Sequence, residues 1–414
     1  MPIRSVVLLA VCGPLALGLA TPPVAAAVQI MPPSWGLDRI DQRSSALDGL
    51  YHYARDGAPV HLFVVGSGVR ATHADFGGRV DTATAFTTVT DGLGTEDCQG
   101  TGTAVAAIAG GLSYGVAKGV TLHPVRVVGC SGVATATDLE SAVEWITATH
   151  AANQKGSPSS RWRSVAVLSV SLDAAPSTLN QAIFASIEAG VVWVAPAGDS
   201  GTDRCTTFRP VLSVPEVLVV GATEMTGGRW PSSSVGPCVD LFAPGAAVST
   251  SSYLSDTGTA TSTGTAAAAG HAAGAAALYL AAYPDAAPAD VARALVAYAT
   301  AGAVGGAPAG TTDRLLYSWF EGDGVDELPV PAFTATCRLQ QRDCRFDASA
   351  SLDDTGIVDH TWDFGDGEGV SHKSSGVHHK YQAAGSTFTV TLTVMDAAGQ
   401  TASASRVVAL SLSP

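Results

Sequence analysis

Basic side chains are scarce: the 414 residues hold 22 lysines and arginines against 36 acidic residues, for a formal charge of −14. No surface can then neutralise a run of phosphates, so nucleic acids and anionic membranes are excluded as partners. Cysteines are few, and no two stand in the CxxC spacing of a zinc site. After the first 27 residues there is also no charge-free run bulky enough to cross a bilayer well. The longest apolar stretch, around residues 265–282, is mostly alanine and glycine.

What is present begins with an export signal. Arg4 is followed by the apolar run SVVLLAVCGPLALGLA and the small residues Ala25, Ala26 and Ala27, so residues 1–27 are expected to be removed and the remainder secreted. Cys12 lies inside this signal behind Val11, where a lipid-anchoring cleavage site needs a small residue, so no anchor is expected. Six cysteines remain: Cys98, Cys130, Cys205, Cys238, Cys337 and Cys344. An even count in an exported chain points to disulfides rather than metal or catalysis, with fifteen connectivities open. The hydrophobic fraction of 46% supports a sizeable core, and the length allows two domains.

From Val60 onward, short β-branched runs at 60–65, 120–128, 164–170, 191–195 and 217–220 alternate with helical patterns at 137–146, 178–189 and 288–299. Thr137 and Glu140 have the spacing of a capping box, and Pro288 suits a first helical position. Strands alternating with helices make a parallel sheet covered on both faces, with ligand sites at the strands' carboxyl ends. Residues 318–330 carry glycine, proline and acids without a period and read as a linker. In residues 331–414 the pattern changes to period two, with Phe388, Val390, Leu392 and Val394 on one strand face, which predicts a small all-β module.

Residues Thr261 to Tyr279 read TSTGTAAAAGHAAGAAALY, a glycine-broken turn feeding one buried helix, with Thr263 or Thr265 as its cap. This string resembles SGTSMAAPHVAGxAALYL of the subtilisin-like serine proteases, the proteinase K branch especially. Gly264, Thr265, His271, Gly274, Ala275, Leu278 and Tyr279 hold the register. Trp35-Gly36-Leu37-Asp38-Arg39-Ile40-Asp41-Gln42-Arg43 resembles the branch's mature amino terminus, and Asp313-Arg314-Leu315-Leu316-Tyr317 resembles its terminal NRLLY. With so few residues between signal and mature start, the family's inhibitory prosegment is not expected. The resemblance also implies the bonds Cys98–Cys130 and Cys205–Cys238, which leaves Cys337–Cys344 to close a short hairpin. Further on, the string WDFGDG at 362–367, followed by His379-Lys380-Tyr381, resembles the PKD (polycystic kidney disease-type) β-sandwich. Its aspartates are read as turn residues rather than calcium ligands.

Acyl transfer by a serine protease needs a nucleophile, an imidazole base, a carboxylate that orients it and donors facing the oxyanion. The family places its aspartate in V(I/V)DTGI; here Val64-Val65-Gly66-Ser67-Gly68-Val69 puts Gly66 at that position. Its histidine stands in DCNGHGTHVAG, and the string from Asp97 to Ala107 puts Thr101 there, a hydroxyl that cannot serve as a base near neutral pH. Ala266 takes the nucleophile's place, and a methyl group cannot attack a carbonyl. The oxyanion asparagine of AAGN becomes Asp199, whose charge is expected to repel a developing alkoxide. The substrate-rim motif SLGG becomes Ser171-Leu172-Asp173-Ala174. His73, Asp75 and His271 match ordinary family positions and read as structural, while Ser67 and Ser262 lie near the site only in sequence.

The expected fold is therefore an α/β, subtilisin-like parallel sheet over residues 28–317, followed by the linker and a PKD-like sandwich. The expected function is that of a secreted, inactive subtilase homologue that binds or scaffolds a protein or peptide, with the sandwich docking on a polysaccharide or protein surface. Family membership alone implies the alternative, an active secreted serine endopeptidase. No cofactor is expected; calcium is common in the family, but no ligand set stands out.

Overall fold

The computed structural model describes residues 27–410 apart from 133, 171–176, 206–210, 213, 321–328, 339–341, 352, 354–356, 383–386 and 397–398. The expected signal, save Ala27, and the string Ser171 to Ala174 thus lie outside the described residues.

In the first body β1 (Ala27–Ile30) pairs antiparallel with β2 (Leu50–Tyr53) and brackets the short helix α1 (Trp35–Ile40). There follow β3 (Val60–Gly66), β4 (Phe86–Thr87), α2 (Thr101–Gly110), β5 (Thr121–Arg126), α3 (Ala136–Ala152), β6 (Arg163–Leu168), α4 (Ser177–Glu188) and β7 (Val191–Pro196). Then come β8 (Leu218–Thr223), β9 (Leu241–Pro244), the hairpin β10 (Val248–Ser251) and β11 (Thr259–Ser262), α5 (Thr265–Ala282) and α6 (Pro288–Tyr298). The main sheet has the order β4-β5-β3-β6-β7-β8-β9, and every pairing in it is parallel. Its central strands are continuous apolar runs because both faces are covered. Val64, Val167, Val194 and Val220 pack with Val105, Ala272, Ala276 and Leu295 on one side. On the other, Val65, Leu168 and Trp193 pack with Ile146 and Ile183.

Helix α5 is buried along most of its length, which its small residues permit. A Cβ on Gly274 would lie 2.5 Å from Val116 Cβ and 2.8 Å from the Ala109 carbonyl, so only glycine lets that backbone come so near. His271 is fully buried in this helix, its Nδ1–H donating to Ala267 O at 3.0 Å, and burial pulls its pKa down to about 4.

Three local details differ from the sequence reading. The capping box of α3 is formed by Thr135 and Asp138, two residues ahead of the expected pair. Thr135 Oγ1 accepts from Asp138 N at 3.1 Å, and Asp138 Oδ2 accepts from Thr135 N at 3.0 Å. Two threonine-to-acid frames overlap here, and hydrophobic period alone does not choose between them. At α5 the cap is Gly264, with φ of 142° and no side-chain bond, and Thr265 is already helical. Ser318, Trp319 and Phe320, expected in the linker, pack on the first body. Ser318 N donates to Ile40 O at 2.7 Å, Trp319 stacks on His52 at 4.6 Å, and Phe320 lies edge-on to Tyr279 and Tyr298.

The second body comprises β12 (Thr334–Arg338), β13 (Asp343–Asp347), β14 (Ile357–Asp363), β15 (Gly369–His372), β16 (Gly376–Lys380), β17 (Thr387–Asp396) and β18 (Thr401–Ala409). They form two antiparallel sheets, β12-β13-β16 and β15-β14-β17-β18, around Phe346, Trp362, Tyr381, Leu392 and Val394. Within WDFGDG, Asp363 Oδ1 accepts from Gly365 N at 2.9 Å and Asp366 Oδ1 from Glu368 N at 3.2 Å. Asp366 Oδ2 meets His379 Nε2 at 2.8 Å. Both carboxylates thus shape the turn. The cysteines are joined in sequence order, Cys98–Cys130, Cys205–Cys238 and Cys337–Cys344, the last across the β12–β13 hairpin.

Candidate functional site

The four positions singled out by the sequence gather at the carboxyl edge of the parallel sheet. β3 ends at Gly66, and the start of α2 is docked on the residues just beyond it: Gly102 N donates to the buried Ser67 Oγ at 2.9 Å. Asp97 builds the entry to α2. Its Oδ1 accepts from Gln99 N and Gly100 N at 2.9 and 2.8 Å, and its Oδ2 from Thr103 N and Oγ1 at 2.8 and 2.6 Å. Thr101 follows as the first residue of α2 and is half-buried. The Cys98–Cys130 bond fastens this turn from behind. There the buried Arg126 guanidinium donates to both oxygens of Asp91, at 2.8 and 2.6 Å, and to Cys98 Sγ at 3.2 Å.

From the other side comes the exit of β7. Gly198 N donates to Thr265 Oγ1 at 3.0 Å, while Asp199 Oδ1 accepts from Thr265 N at 2.9 Å and from Thr265 Oγ1 at 2.8 Å. The carboxylate at the expected oxyanion position is thus also tied into the fold. One of its oxygens is engaged by the first residue of α5, because unsatisfied N–H groups and the positive end of a long helix attract an anion. Ala266 comes next, half-buried, and offers only its methyl group.

One participant carries no sequence signal. A Cβ placed on Gly66 would lie 1.7 Å from Ser169 Oγ, which donates to Val65 O at 3.1 Å. Ser169, just past the end of β6 and 4% exposed, fills the space where a larger residue at 66 would begin. Nothing in the string Leu168-Ser169-Val170 announces this, because the partner lies a hundred residues earlier on the neighbouring strand.

The other candidates are committed elsewhere. His73 Nδ1 accepts from Asp75 N at 3.1 Å and its Nε2–H donates to Gly258 O at 2.9 Å. Asp75 Oδ1 accepts from Ser113 N at 2.6 Å. Ser262 ends β11, near Thr101 in space, with no imidazole hydrogen-bonded to it among the described residues. A histidine–serine bond does occur, His150 Nδ1 to Ser164 Oγ at 2.8 Å, but both residues are buried at the amino ends of the strands.

Among the described His, Cys, Asp and Glu side chains, Asp91, Cys98 and Cys130 come within reach of one ion. The set does not fit calcium, which takes several oxygen ligands, since the two sulfurs are bonded to each other and Arg126 already neutralises the carboxylate.

Comparison with known proteins bears on the fold and the family. Residues 57–315 match the Subtilase family and residues 326–410 the PKD domain. The chain is 43% identical over 290 residues to the extracellular serine proteinase of Thermus sp. (strain Rt41A), covering 70% of this chain and 67% of that protein. It is 37% identical over 304 residues to the alkaline serine exoprotease A of Vibrio alginolyticus, covering 72% and 53%. A crystal structure of a cold-adapted subtilisin-like serine proteinase superposes with a TM-score of 0.62 at 38% identity, covering 69% of this chain and 97% of that one. The chain spans between half and two-thirds of the length of the curated relatives it matches. In fold, in sequence and in the order of its elements, this chain belongs to the subtilase family and carries a PKD domain after its protease-like body.

Proposed function

We propose that this chain is a secreted subtilase homologue that binds polypeptide without cleaving it. The observation that carries the reading is the trio of residue types at the carboxyl edge of the sheet, hydrogen at Gly66, an alcohol at Thr101 and a methyl group at Ala266. Neither hydrogen nor a methyl group can take up an acyl group, and the Thr101 hydroxyl cannot act as a general base near neutral pH. Ser169 Oγ, standing where a side chain at position 66 would begin, supports it further. Removing one oxyanion donor costs an active protease about 3 to 4 kcal/mol, and a carboxylate in its place adds repulsion. Three disulfides and extracellular relatives support secretion. The PKD domain supplies a second surface, for polysaccharide or protein, and residues 28–317 and 331–414 are the proposed working units.

The relatives' names favour a second reading, an active serine endopeptidase. Incubating the full chain with denatured casein separates the two. Capture of casein fragments that elute uncut supports binding without cleavage, whereas new casein peptides at protease rates refute it.

A further inference from the structure

A cavity of about 380 Å³ opens between the start of α2 and the β10–β11 hairpin, beside Thr101. This lies within the range of small-molecule sites, roughly 300–1,000 Å³. Among the described residues no carboxylate, ammonium or guanidinium lines it. Its floor is fixed: Thr250 Oγ1 donates to Ala104 O at 3.0 Å and Ser251 Oγ to Asp75 Oδ2 at 3.2 Å. Around that floor stand Thr101, Tyr253, Thr259, Thr261 and Ser262, whose hydroxyls make no hydrogen bond among the described residues. The Tyr253 ring lies against Gly100, where a Cβ would come within 2.7 Å of its Cδ1, so glycine is what lets the aromatic wall sit over the helix entry. Leu254 and Ala260 add apolar rim.

We propose that this cavity binds a neutral saccharide unit. A charged ligand would leave water for walls that offer no counter-charge, which is costly. Hydroxyls that both donate and accept match the hydroxyls of a sugar in either sense, and an aromatic wall beside them suits the apolar C–H face of a pyranose ring. A peptide strand is instead recognised through backbone N–H and C=O groups along a sheet edge, and here the free groups are side chains. The inference does not depend on the chain being inert.

The test is saturation-transfer NMR on the full chain with cellotriose, maltotriose and the N-acetylglucosamine trimer as probes. Saturation transfer to at least one sugar is expected, with Thr261→Val and Tyr253→Phe each weakening its Kd by about two- to tenfold, the loss of one hydrogen bond. Tyr253→Ala should weaken it more, with unchanged melting behaviour as the check on folding. Absence of transfer to all three sugars overturns the proposal. So does transfer indifferent to Thr261→Val and Tyr253→Phe, which would place the sugar on another surface such as the PKD domain. Transfer to trialanine alone, lost on the same substitutions, would make the cavity a peptide subsite and would equally overturn it.

Discussion

The hydroxyl oxygen of Ser169 lies 1.7 Å from the point where a side chain on Gly66 would begin. The Ser169 side chain thus stands where a side chain at position 66 would begin, while its Cα is 3.9 Å away. Gly66→Ala should destabilise the chain by about 1–3 kcal/mol, the usual cost of overpacking a well-filled site. Ser169→Ala should relieve most of that loss, because it removes the oxygen and leaves the Cβ atom 3.1 Å away. Urea denaturation of the two single variants and the double variant measures the coupling. Strictly additive effects would show that the contact yields freely.

Asp199 caps α5 from a different segment of the chain, through two bonds to Thr265. Asp199→Ala should cost about 1 kcal/mol, in the range of lost helix caps, and Asp199→Asn less, since an amide oxygen can still accept from Thr265. A thermal denaturation series reads this order directly; equal loss for both variants would mean that charge, not acceptance, holds the helix start.

Acid should weaken the first body before its carboxylates titrate out. Burial lowers His61, His123, His150 and His271, the first and last to about 4, and His61 also faces His123 across a 2.9 Å contact. Unfolded, each takes up a proton near 6.5; folded, it does so only at lower pH. The unfolded state therefore binds more protons as pH falls through that window, and stability declines. For the fully buried His271 the shift corresponds to about 3 kcal/mol. Asp41 and Asp240 act in the opposite sense, since burial raises each to about 6 and folding then favours the protonated acid as pH falls below that value. Burial raises Asp38 and Glu96 as well, so the count of groups is even, but the imidazole loss begins near 6.5 while Asp41 and Asp240 gain only below about 6, and the urea midpoint should be lower near pH 5 than near pH 7. A midpoint that holds or rises would contradict the assignment.

The flanks of the emptied positions survive, so the reaction centre is open to reconstruction. Gly66→Asp, Thr101→His, Ala266→Ser and Asp199→Asn together should restore slow cleavage of a chromogenic peptide, provided Ser169 rotates off the Val65 carbonyl. A folded quadruple variant with no turnover would show that the groove itself has changed shape.

Most of the architecture was legible in the sequence because local pattern and global fold agree. The β-branched runs became the parallel strands, the alanine-rich run became α5, and period two around Val390 to Val394 became a sandwich strand. What escaped was set by distance. The frame of the α3 cap at Thr135 is not set by hydrophobic period, the packing of Ser318 to Phe320 depends on α1, β2, α5 and α6, and the Ser169–Gly66 and Asp199–Thr265 contacts join segments that only the folded sheet brings together.

The most direct test is the intact mass of the purified full chain after exposure to a fluorophosphonate, a reagent that phosphonylates activated serine. An unchanged mass, with a parallel active subtilase fully labelled, is the predicted result. A stoichiometric adduct on any residue of this chain would contradict the reading of an emptied reaction centre.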